Sequence, residues 1–316
     1  MILTMIKNEI QKSNNYRQFI RFEFIMLIIF GCLFLTGTFL DKTAAETFFS
    51  PDITILKLIT STGVYPIYTA PVLFSGALCQ HIIYSDKSKQ AKLLLCIFLI
   101  IAALFVGFCG GRSFSGRNNL GGIFPSFIRN VPVIIILSVI FEYPMLFVGY
   151  YFAKKSDDKL LAKRITVLFI VLLTAYVSMQ VLKNSFDRPR YRTVSLGYDG
   201  ISFVPWYTPF TDAEGMAAAY TLDADEFRSF PSGHSLFSIL SVCIFPSLAW
   251  LFPRLKVKQM KLFYTGFFFG LIIMATRIIL GAHYLSDVSA GAFIGTLFSL
   301  IFAAIQLHIS EKPRKA

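Results

Sequence analysis

Two of the chain's four histidines stand where histidine can do chemistry. His283 precedes Asp287 by four residues, between the cation Arg277 and an apolar run. If a helix has begun by His283, residues i and i+4 share a face. The carboxylate can then hold the imidazole Nδ1–H and leave Nε2 with a free lone pair. His234 follows Pro231, Ser232 and Gly233 at the head of another apolar run. Ser232 suits an N-cap, Gly233 lets a ligand approach the backbone, and first-turn N–H groups bind phosphate. A third cluster places Lys183, Arg188, Arg190 and Arg192 within ten residues at the end of an apolar run, which is more cation than topology needs. Each feature has a plainer reading: a capped helix with a spectator histidine, a His–Asp pair that steadies a helix start, or a headgroup anchor. Together, two imidazoles, several cations and a helix N-terminus make a constellation for phosphoryl transfer.

The elements that must carry these groups are membrane helices. Of 316 residues, 55% are hydrophobic and 34 are Phe, while only 15% are charged. A soluble domain carries about 25% charged residues, and a chain of this length has too little interior for so many rings. The net charge of +12 lies in short clusters between apolar runs, which is membrane topology and not a nucleic-acid surface. The five cysteines, Cys32, Cys79, Cys96, Cys109 and Cys243, all fall inside apolar runs and outline no disulfide framework. A spanning helix needs about 20 mostly apolar residues. Eight runs qualify, at 24–40, 60–84, 93–111, 131–153, 165–182, 232–253, 262–280 and 288–308. The expected fold is an all-α, polytopic membrane helix bundle of about eight transmembrane helices. The first run lacks a small-residue cleavage pattern and reads as a retained helix. Glu142 is an intramembrane carboxylate, structural or functional, and Pro66, Pro71 and Pro144 are expected kink sites.

Two spans separate the 183–234 segment from the 277–287 segment, so the three clusters share one membrane face. With the N-terminus cytoplasmic, inner segments hold 19 Lys and Arg and outer segments hold 11. This bias sets the cluster face outside the cytoplasm. The 112–130 loop, with Arg112, Arg117 and Arg129, then faces outward against the rule.

Lys183-x6-Arg190, Pro231-Ser232-Gly233-His234 and Thr276-Arg277-x5-His283-x3-Asp287 resemble the three motifs of the type 2 phosphatidic acid phosphatase (PAP2) superfamily, KxxxxxxRP, PSGH and SRxxxxxHxxxD. Tyr191 stands where the first motif has Pro, and Thr276 where the third has Ser; neither change removes a catalytic group. The resemblance covers a six-helix phosphatase core at 93–316 and leaves 1–92, with two helices, as an N-terminal extension. It implies an integral-membrane lipid phosphate phosphatase of the cell membrane whose nucleophile is His283, oriented by Asp287. A phosphohistidine would form, with His234 protonating the leaving alkoxide. Lys183, Arg190, Arg277 and the Ser232 and Gly233 N–H groups would hold the phosphate, and Arg188 would lie behind them. No metal or cofactor is implied. The expected partners are the bilayer and a lipid phosphate whose tail stays in it, under an interfacial lid carrying Trp206, Tyr207, Phe210 and Tyr220. Transfer to a lipid or sugar acceptor, and anion transport without bond cleavage, are the alternatives.

Overall fold

The structure is a computed structural model that describes residues 2–311 apart from 117, 118 and 157, with side chains from residue 14 onward. Arg117, one of the expected loop cations, lies outside the described residues. Among the described residues the chain is helical with no strand. The helices are α1 (Ile2–Phe48), α2 (Thr54–Ser61), α3 (Tyr65–Ile83), α4 (Lys89–Phe114), α5 (Val131–Leu137), α6 (Tyr143–Ala153) and α7 (Leu161–Lys183). They continue as α8 (Tyr191–Val194), α9 (Ala213–Ala219), α10 (Gly233–Ile239), α11 (Ser241–Ser247), α12 (Gln259–Ile279) and α13 (Leu285–Glu311).

Seven described stretches are long and apolar enough to cross a bilayer, among them Asn14–Phe48, Leu161–Lys183, Gly233–Trp250 and Leu285–Glu311. The chain is a multi-pass membrane protein built as a helical bundle. The expected second run forms α3, which is not one of the seven because Tyr, Thr, Ser, Gln and His dilute its apolar content. Connectivity nevertheless requires α3 to cross. Asp41 near the end of α1 pairs with Arg188, and Arg129 after α4 pairs with Asp223, so α1 and α4 both run toward the face of the 183–231 segment. At the opposite face Asn15 Nδ2 donates to Gln259 Oε1 (2.8 Å), Arg17 pairs with Glu311, and Ser156 Oγ donates to the Trp250 carbonyl. Only α3 can return the chain between α1 and α4.

Close packing in lipid depends on small residues at helix crossings. At the α3–α6 crossing, a Cβ on Gly76 would overlap the Leu146 carbonyl, and one on Gly149 the Leu73 carbonyl. The α10–α11 run is the bundle's centre, with 83% of Gly233–Trp250 buried, and it is interrupted at Leu240 between the two helices. Around it pack Leu168, Leu172, Ala175 and Met179 of α7 with Leu236, Phe237 and Leu240, while α1 lies along α13.

The prolines differ from the expected kinks in one case. Pro66 sits at the first turn of α3, where its missing N–H costs nothing. Pro71 lies inside α3, and Pro144 follows a single π turn, Ser138–Glu142, that widens the fourth run. That turn buries Glu142, which accepts from Thr69 Oγ1 (2.9 Å) and touches none of the expected site residues.

Candidate active site

His283 is placed by the connection between two membrane helices. The last turn of α12 delivers Arg277, whose carbonyl accepts from the N–H groups of Ala282 and His283 (3.0 and 3.1 Å). Gly281, at φ 63°, adopts the left-handed conformation that reverses the chain. The next helix, α13, starts at Leu285, two residues after His283. Asp287 in its first turn accepts from the Tyr284 N–H (2.8 Å), as a carboxylate at a helix N-terminus should.

This later helix start corrects the expected His–Asp bond. The i, i+4 argument needs His283 within the helix, and it is not. Asp287 Oδ2 lies 3.7 Å from His283 Nδ1, too far for a hydrogen bond. His283 Nδ1 instead contacts the backbone carbonyl of Ser229 at 2.6 Å. A carbonyl only accepts, so Nδ1 carries the proton and Nε2 keeps its lone pair. Asp287 acts one step behind: its Oδ2 accepts from Ser229 Oγ (2.5 Å) and its Oδ1 from Arg188 Nη1 (2.5 Å).

The cations form an inner and an outer group. Arg190 Nη1 is 3.4 Å from His283 Nε2 and also donates to the Ala282 carbonyl (3.0 Å). Its other edge is clamped by Asp225, Nη2 to Oδ2 at 2.7 Å and Nε to the carbonyl at 2.8 Å. Lys183 Nζ lies 3.9 Å from Asp225 Oδ1, and the Lys183 Cε would be 3.5 Å from a Cβ on Gly233. Lys183 therefore reaches the PSGH turn. Arg277 is 1% exposed, and among the described residues its Nε and Nη1 have no hydrogen-bond partner. The buried His234 Nε2 has none either. Buried polar atoms are normally satisfied, so these three define a place built for a polar guest. A cavity of about 250 Å³ opens beside Arg277, lined also by Arg192, Glu226, Lys57 and Asp52.

The outer cation is Arg188, 1% exposed, which donates to Asp287, Asp41 (2.9 Å), Ser286 Oγ (3.0 Å) and the Val204 carbonyl (2.9 Å). It stacks on the Tyr284 ring, 4.0 Å from the centroid. Every edge of that guanidinium is engaged, in keeping with the supporting position expected for it.

Ser232 is the N-cap of α10, its Oγ accepting from the Ser235 N–H (3.4 Å) and hydroxyl (3.0 Å). Its own N–H was expected to hold phosphate. It donates instead to the Asp287 carbonyl (3.0 Å), tying the second motif to the third, and is not available to an anion.

The electrostatics follow from burial and crowding of positive charge. Burial, with the Arg190, Arg277 and Lys183 charges, pushes His283 well below the usual histidine range. Its imidazole is neutral at neutral pH. Burial works to raise Asp225, but Arg190, Lys183 and Arg192 hold its carboxyl down to about 2.

Sequence reasoning missed Ser229, Asp225, Glu226 and Asp41. The first three lie within nine residues before His234, and the two acids of that stretch were the available signal. The aromatic segment is also less lid-like than expected. Trp206 stacks on Phe230 and donates Nε1–H to Thr38 Oγ1 (3.1 Å), Phe210 packs on Phe227, and Tyr220 stacks on Tyr198. Of the four rings expected there, Tyr207 is the exposed one, at 59%.

The chain is 32% identical over 157 residues to a lipid A 1-phosphatase of Rhizobium etli, covering 50% of this chain and 58% of the relative. It is 40% identical over 161 residues to a lipid A 1-phosphatase of Rhizobium johnstonii, covering 50% of this chain and 55% of the relative. The matches thus span little more than half the length of these curated relatives. No solved structure matches the chain. Residues 164–309, just under half of the chain, match the PAP2 superfamily, and that segment contains all nine expected site residues from Lys183 to Asp287.

Proposed function

We propose that this protein is an integral-membrane lipid phosphate phosphatase that works through a phosphohistidine on His283. The observation that carries this reading is that buried polar atoms of two motif residues are left without a partner: Arg277 Nε and Nη1, and His234 Nε2. A neutral His283, proton-bearing at Nδ1, presents Nε2 beside Arg190.

In the first step His283 Nε2 attacks phosphorus in line and forms the N–P bond as the P–O bond to the lipid breaks. The leaving oxygen takes a proton from His234. Charge on the equatorial oxygens falls to Arg190, Arg277, Lys183 and the Gly233 N–H. In the second step water attacks phosphorus, gives its proton to His234, and the N–P bond breaks to release inorganic phosphate. Asp287, Ser229 and Arg188 hold His283 and touch no substrate. This scheme asks for no metal ion.

The curated relatives' printed activity supports a lipid phosphomonoester as substrate. The excess of basic residues on the opposite face supports an active site outside the cytoplasm. Purified protein incubated with a panel of lipid phosphates and diphosphates, with excess chelator present, should release inorganic phosphate and be inhibited by vanadate, which adopts the geometry of the transferring group. Activity lost to chelator and restored by a divalent metal would refute the metal-free scheme. Phosphate recovered on an added lipid or sugar, with none free, would make the enzyme a transferase.

A further inference from the structure

The N-terminal helix α1 lies outside the family match, yet its last turns are built into the candidate active site. At Gly37 it approaches the start of α13 so closely that an added Cβ would sit 2.5 Å from the Ser286 backbone nitrogen. One turn further along the same face, Asp41 is 2% exposed. Its carboxylate accepts from the Ser286 N–H (2.8 Å), the Ser286 hydroxyl (2.5 Å) and Arg188 Nη2 (2.9 Å). Among the described residues Arg188 Nη2 has no other hydrogen-bond partner. Arg188 Nη1 meets Asp287, Asp287 meets Ser229 Oγ, and the Ser229 carbonyl meets His283 Nδ1. An unbroken chain of short polar contacts therefore runs from α1 to the imidazole. The same end of α1 also steadies the aromatic segment, through Thr38 to Trp206 and Phe34 against Phe230.

We propose that Asp41 is a positioning residue of the active site, which fixes Arg188 and the first turn of α13 and through them the orientation of Asp287 and His283. The chemistry favours this assignment over simple packing. One buried guanidinium faces two buried carboxylates, so Arg188 has a single place to sit while both are ionised. On this view the N-terminal helix is part of the catalytic unit and not a detachable addition. The inference rests on reading His283 as the nucleophile.

The test uses full-length protein in detergent and a lipid phosphate substrate. Asp41→Asn keeps the side chain's shape but turns an acceptor for Arg188 into a neutral amide. It should lower kcat by about 10- to 100-fold, the usual effect of removing a supporting partner, and leave KM within about twofold because Asp41 touches no substrate. On an Arg188→Gln background Asp41→Asn should cost clearly less than it does on wild type, since much of its effect runs through Arg188. Glu46→Gln, on the exposed side of α1, should turn over normally. Wild-type kcat in Asp41→Asn, a loss confined to KM, or a loss that adds in full to that of Arg188→Gln would overturn the proposal. If Asp41→Asn does not yield a monodisperse protein, Ser286→Ala removes one of the three donors to the same carboxylate. It should lower kcat several-fold at unchanged KM, and full turnover in that folded variant is again contrary. Wild-type protein that releases no phosphate from any lipid phosphate refutes the phosphatase reading together with this one. An active wild type with an indifferent Asp41→Asn refutes only the role of Asp41.

Discussion

Asp287 lies 3.7 Å from the His283 Nδ1, but its Oδ2 accepts from Ser229 Oγ, while the Ser229 carbonyl takes the imidazole contact at 2.6 Å. The serine hydroxyl is thus the link between carboxylate and histidine. Ser229→Ala keeps the carbonyl and loses the link, and a hydrogen bond to a charged group contributes about 1.5–3 kcal/mol. Its kcat should fall roughly tenfold. Asp287→Ala removes the Ser229, Tyr284 and Arg188 contacts together and should be far more damaging. Kinetics of the two purified variants decide this, because a serine silent in kcat would mean that the carboxylate holds the ring directly.

Arg188 neutralises two carboxylates that are otherwise sealed from solvent, with side-chain exposures of 2% for Arg188, 1% for Asp41 and 0% for Asp287. Removing one partner of a buried ion pair costs about 3–5 kcal/mol. Arg188→Ala should therefore unfold at distinctly lower temperature than wild type in the same detergent, in addition to losing turnover. Arg254→Ala, on the exposed opposite face, is the comparison and should unfold as wild type does. Equal unfolding temperatures for all three proteins would contradict the buried pairing.

The pH dependence follows from the neutral state of His283. Burial and the charges of Arg190, Arg277 and Lys183 push the imidazole well below its usual range, which is near 6.5. A nucleophilic imidazole must be unprotonated, so activity is lost only as pH falls through the depressed value. The acid limb of kcat/KM, which reports the free enzyme, should lie below about pH 6.5. Arg190→Gln removes a neighbouring cation and should move that limb upward while lowering the rate. An acid limb above the usual histidine value in wild type would show that the ring is not held as described.

Sidedness can be read with thiols. Asp212 lies exposed on the face of the candidate site, and Lys258 lies exposed in the connection before α12 on the opposite face. A membrane-impermeant thiol reagent added to intact cells should label Asp212→Cys and spare Lys258→Cys. The reverse pattern would make this an enzyme of cytoplasmic-leaflet lipids.

The helical runs and the three motifs were legible because each is local: an apolar stretch, or a few residues at a helix end. What could not be read joins residues far apart in the chain. Ser229 meets His283 across 54 positions, Asp225 meets Arg190 across 35, and Asp41 meets Arg188 across 147. The expected His283–Asp287 bond failed for a smaller reason, a helix that starts at Leu285 and leaves the imidazole on the preceding turn. The Ser232 N–H was lost to the phosphate because the Asp287 carbonyl reaches it first. The second error came from treating each motif by itself when the second and third motifs are bonded to each other.

The most direct test of the mechanism is to quench turnover of a lipid phosphate labelled in its phosphoryl group and ask where the label sits. Acid-labile, alkali-stable label should appear on the protein, mapped to His283 and absent from His283→Ala, whose turnover should fall on the order of 10⁴-fold or more. His234→Ala should still accept label from substrates with good leaving groups, since those need no proton. A His283→Ala enzyme that retains near-normal turnover, or a wild-type protein labelled at another residue, would contradict the mechanism.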